Sequence, residues 1–151
     1  MTSTRGFTLL EVLIVIAIVG LLSAAGVGYF RNVVQQVSSE SVVKILISDL
    51  RNAQAKAAAG EESRKWGIHV VNSATQYYQL FSTPTNYADV PTSIEATTTL
   101  ASGFVFTDPA AGMSKDIIFG GIGGTTTATT LALTNEGKTT TITISSLGTI
   151  Y

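Results

Sequence analysis

The chain has 151 residues, 45% of them hydrophobic and only 13% charged, with a formal net charge of −1. That length suits one domain with a real core, and so small a net charge excludes a strong general attraction to nucleic acid or acidic lipid. There is no cysteine, which excludes a disulfide framework, a zinc finger and a thiol nucleophile and leaves packing and strand pairing to hold the fold.

The first predicted element is apolar. From Val12 to Phe30 nearly every residue is hydrophobic or small, and the run extends back to Phe7. As a helix, 7–30 measures about 36 Å at ~1.5 Å per residue, enough to cross a hydrocarbon layer of about 30 Å. A helix with no polar stripe must be surrounded by lipid or by other apolar helices. A plain signal anchor is one reading, and a cleaved secretory peptide with a site at Ser23-Ala24-Ala25 or Ala24-Ala25-Gly26 is another. Neither accounts for Glu11. A carboxylate costs about 2.5–3.5 kcal/mol at the centre of such a helix and less near its end, so its presence asks for a function.

The stretch RGFTLLEVLIVIAIVGLLSA, 5–24, closely resembles the N-terminus of type IV prepilins and type II secretion pseudopilins. The resemblance implies a leader, 1–6, cut by a prepilin peptidase between Gly6 and Phe7. It makes Phe7 the N-methylated N-terminus and Glu11 the acidic residue used in assembly. It also implies a filament subunit rather than an enzyme, with no cofactor, held in the cytoplasmic membrane before an assembly platform moves it into an extracellular pilus or a periplasmic pseudopilus. Arg5, the only charged side chain of the leader, would stay on the cytoplasmic side. Cleavage would place a positive amine on Phe7, four residues before Glu11, and an unpaired carboxylate in an apolar bundle is far costlier than a paired one. Pairing between Glu11 of an incoming subunit and the amine of a neighbour would therefore select docking and register. Major pilins often carry a proline near the end of this segment, where this chain has Gly28; that departure favours a minor subunit.

Apolar residues recur with helical spacing at Val34, Val37, Val42, Ile45, Leu46, Leu50, Ala53 and Ala57. Glu40, Lys44, Asp49, Arg51 and Lys56 lie opposite and read as a solvated face. The pattern predicts one helix from about Phe7 to Ala59, with Gly60 as its C-cap. Its first part, 7–30, is the membrane or filament-core segment, and 31–60 is an amphipathic continuation. Glu61 to Lys65 reads as a charged connector.

Beyond Trp66 the chain is strand-like and rich in threonine, which favours β structure. The candidates are WGIHVV, QYYQLF, SIEATTTL, GFVF, DIIF, TTLALT, TTTITIS and GTIY. The turn at Asn72-Ser73-Ala74 joins the first two as a hairpin, and Asn135-Glu136-Gly137-Lys138 joins TTLALT to TTTITIS. Ser82–Pro91 and Gly120–Thr127 read as displayed loops. The expected fold class is α+β: a long N-terminal helix whose second half packs on an antiparallel β-sheet head, 61–151. LISDLRNAQAKAAA, WGIHVV with its hairpin, and ITISSLGTIY resemble the GspH/FimT-like pseudopilins.

Residues for other chemistry are missing. The lone histidine, His69, lies in a candidate strand and reads as structural. No nucleophile elbow, P-loop or zinc-protease motif occurs. Asp108 and Asp116 alone do not supply a calcium site. Beyond Gly60 there are four basic residues, Arg64, Lys65, Lys115 and Lys138, against seven acidic ones. Binding DNA needs clustered positive charge, so weak or no DNA affinity is expected. The expected partners are the peptidase, the assembly platform and other pilin-like helices.

Overall fold

The computed structural model describes residues 8–88, 92–121 and 123–151, without the side chains of 25–39. The chain divides into two compact units, Met1–Glu40 and Ser41–Tyr151. The fold is α+β, with an N-terminal helix followed by antiparallel sheets, consistent with the pilin fold.

Helix α1 is assigned to Leu9–Ala58. Thr8 starts it as N-cap: its Oγ1 accepts a hydrogen bond from the Glu11 N–H at 3.2 Å, and its carbonyl accepts the first helical bond, from Val12. Gly60 ends it in the left-handed conformation, φ 66°, with its N–H bonded to the Ala57 carbonyl. Glycine takes that conformation without a Cβ clash. The connector is a single 3₁₀ turn, Glu61–Ser63. Glu62 and Ser63 both have φ near +55°, an uncommon conformation for residues with side chains.

In the second unit β1 (Lys65–Val71), β2 (Tyr77–Thr83), β3 (Ser93–Thr99) and β5 (Ser114–Phe119) form a sheet in the order β3-β2-β1-β5. A second sheet has the order β4-β6-β7, from β4 (Phe104–Asp108), β6 (Thr129–Asn135) and β7 (Lys138–Ile144). The paired strands are all antiparallel. Both predicted hairpins form, and Glu136 and Gly137 supply the two positive-φ positions of the β6–β7 turn. GTIY is not a strand: only an isolated bridge joins Ile150 to Ile144, because Gly148 turns the chain back sharply after β7.

Leu46, Leu50, Ala53 and Ala57 bring the buried stripe of α1 onto Trp66, Ile68, Val70, Tyr78 and Leu80 of the first sheet. The second sheet adds Phe106, Leu131, Leu133, Ile142 and Ile144 to the same core. Ala53 and Ala57, both fully buried, let the helix approach the strands closely. Ile45, expected in the stripe, is instead 53% exposed. Val34 and Val37 lie outside the described side chains.

The predicted solvated face of α1 also needs correction at two positions. Asp49 accepts a hydrogen bond from the Tyr78 hydroxyl at 2.6 Å. Lys56 bridges Glu61 at 3.1 Å and Glu95 at 2.9 Å, and its ammonium sits 4.2 Å from the centre of the Trp66 ring. These charges tie the helix to β1, β2 and β3 rather than facing water alone. The Glu95 hydrogen bond, opposed by some desolvation, holds the Lys56 pKa above its ordinary value. Burial, reinforced by Asp49, pushes the Tyr78 hydroxyl upward as well.

Candidate functional site

The described N-terminal turns of α1, from Leu9 to Leu22, present an apolar surface on every side. Leu9, Leu10, Leu13, Ile16, Leu21 and Leu22 are each more than 60% exposed, and Val12, Ile14, Val15, Ile18 and Val19 about half exposed. Such a surface is costly in water, at about 25 cal/mol per Å². Ser23, polar within this run, turns its hydroxyl onto the Val19 carbonyl at 2.8 Å, so the helix itself satisfies it without water.

Glu11 is exposed in the first turn of this helix. Thr8-Leu9-Leu10-Glu11 has the spacing of a capping box, in which a threonine N-cap precedes a glutamate by three residues. The Thr8 half of that arrangement is present in the bond from the Glu11 N–H. Thr8 was not among the expected functional residues, although its spacing to Glu11 is visible in the sequence. Gly6 and Phe7, expected at the cleavage and methylation site, lie outside the described residues.

Among the described residues no helix is long and apolar enough to cross a membrane.

In the second unit the titratable side chains form pairs rather than a catalytic set. β1 pairs with β5 so that His69 lies opposite Asp116, and His69 Nδ1 sits 2.5 Å from Asp116 Oδ1. An ionised carboxylate only accepts, so Nδ1 carries the hydrogen. The Tyr87 ring stacks on the imidazole at 3.7 Å between centroids and meets Phe81 edge-on at 4.8 Å. Its hydroxyl donates to Gln79 Oε1 at 2.6 Å, and Gln79 Nε2 donates to Thr97 Oγ1 at 3.2 Å. Burial, with smaller effects from Tyr77 and Asp116, pushes the Tyr87 hydroxyl upward. The arrangement clamps the loop after β2 onto the sheet face opposite α1, in keeping with a structural His69.

Ser82 and Thr83, expected at the start of an exposed loop, are instead buried strand residues, and the Ser82 hydroxyl is bound by Glu62 and Arg64 of the connector, each at 3.3 Å. Thr83 Oγ1 donates to the Asn86 carbonyl at 2.5 Å. The Gly120–Thr127 loop, expected on display, is also held. Its Gly124 carbonyl accepts from Gln54 of α1, and Gly124 is buried against that side chain.

Asp108 is bound by Lys115 Nζ and by Thr130 Oγ1. Burial alone would raise its pKa, but the hydrogen bonds from Lys115 and Thr130 and the lysine charge hold it below the usual carboxylate range. Asp108 and Asp116 are thus committed to separate partners. Among the described residues no three His, Cys, Asp or Glu side chains gather as a metal site.

No curated protein matches the chain, and neither does any solved structure. Residues 1–27 match the family model of the prokaryotic N-terminal methylation motif. With its glycine–phenylalanine junction, capped first turn and apolar helix surface, the N-terminus of this chain carries the signature of type IV pilin and pseudopilin precursors.

Proposed function

We propose that the protein is a structural subunit of a type IV pilus or pseudopilus, cleaved after Gly6 and polymerised through its N-terminal helix. The observation that carries this reading is the all-round apolar surface from Leu9 to Leu22, within the matched motif and broken only by Glu11. Such a helix is stable in lipid or in a bundle of like helices. In this mechanism a prepilin peptidase exposes the Phe7 amine, which is then methylated. The subunit waits in the cytoplasmic membrane, and an assembly platform transfers the helix from lipid into the bundle.

Glu11 then pairs with the Phe7 amine of a neighbour. Leaving one partner of a buried ion pair alone costs about 3–5 kcal/mol, which is more than about a hundredfold in the docking equilibrium. Glu11→Ala is therefore expected to spare cleavage and membrane insertion and to lower filament incorporation by at least that factor. Incorporation of Glu11→Ala at the wild-type level would refute the role.

Within this class a minor subunit is favoured, on Gly28 in place of a proline; the alternatives are a major pilin or a surface- or DNA-binding tip subunit. Mass spectrometry of sheared filaments separates them. Abundant chains beginning at N-methylated Phe7 identify a major pilin, and the same peptide at trace level identifies a minor one. An intact leader confined to the membrane would sink the whole reading.

A further inference from the structure

We draw no further inference here: the strongest candidate, the apolar cleft of about 170 Å³ beside α1 and the end of β3 that Val42, Ile45, Tyr78 and Leu100 line, is an unpartnered surface, and nothing in the structure shows what covers it.

Discussion

Gly67 sits in β1 opposite Phe81 on one side and Ile118 on the other, and Gly67→Ala tests how closely the strands are packed there. A Cβ at this position would lie 2.4 Å from the Ile117 carbonyl oxygen and 3.0 Å from Phe81 Cζ. The ring can move; the carbonyl belongs to a neighbouring strand whose ladder holds it. Separation to an ordinary contact of about 3.4 Å requires a shift of about 1 Å within the first sheet. Overpacking of this kind costs about 1–3 kcal/mol and occasionally more, against a gain of about 0.5–1 kcal/mol from replacing glycine within a strand. Because the obstacle is backbone, the upper part of the range applies, and a net loss of about 2 kcal/mol is expected. That corresponds to a fall of about 8 °C in the melting temperature of a head of this size, measured by circular dichroism on the full chain. Gly67→Ala combined with Phe81→Leu should not recover it. A wild-type melting temperature, or rescue by the smaller side chain at 81, would show that the carbonyl is not the obstacle.

Two further outcomes follow from side-chain pairs in the head. Asp108 is held below the ordinary carboxylate pKa of about 3.9, so its interactions stabilise the fold above that value and are lost as pH falls through the depressed one. Lys115→Met should raise the midpoint of acid unfolding, and an unchanged acid limb would contradict the assignment. Tyr87→Ala removes the ring stacked on His69 and edge-on to Phe81; aromatic pairs contribute about 0.5–1.5 kcal/mol each. It should lower head stability by about 1–2 kcal/mol and open 84–88 to proteolysis, while equal cleavage in both proteins would show that the ring does not hold the loop.

Reading the elements from sequence worked where a local rule governs them. The left-handed stop at Gly60 and the β6–β7 turn at Glu136-Gly137 follow from backbone conformation. Strands such as β4 and β7 alternate buried and exposed residues because one face is covered. The division into two sheets was not legible, since nothing in β4, β6 or β7 says which strands they will pair with. Nor was the burial of β1 on both faces. That burial depends on α1 covering one side and Tyr87, from a turn-rich loop, covering the other.

By itself, the sequence determined the chemistry of the N-terminus: a glycine–phenylalanine junction, a single carboxylate and an apolar run, all consequences of residue order and length. Even the Thr8 cap on Glu11 lies within three residues. Only the tertiary structure decided which charges would be shared between elements and which strand edges would be left open. Lys56 and Glu95, or Asn72 and Phe106, are more than thirty residues apart and meet only after the strands have paired. Hydrogen bonds and ion pairs require contact distances, and only the fold supplies contacts across that separation.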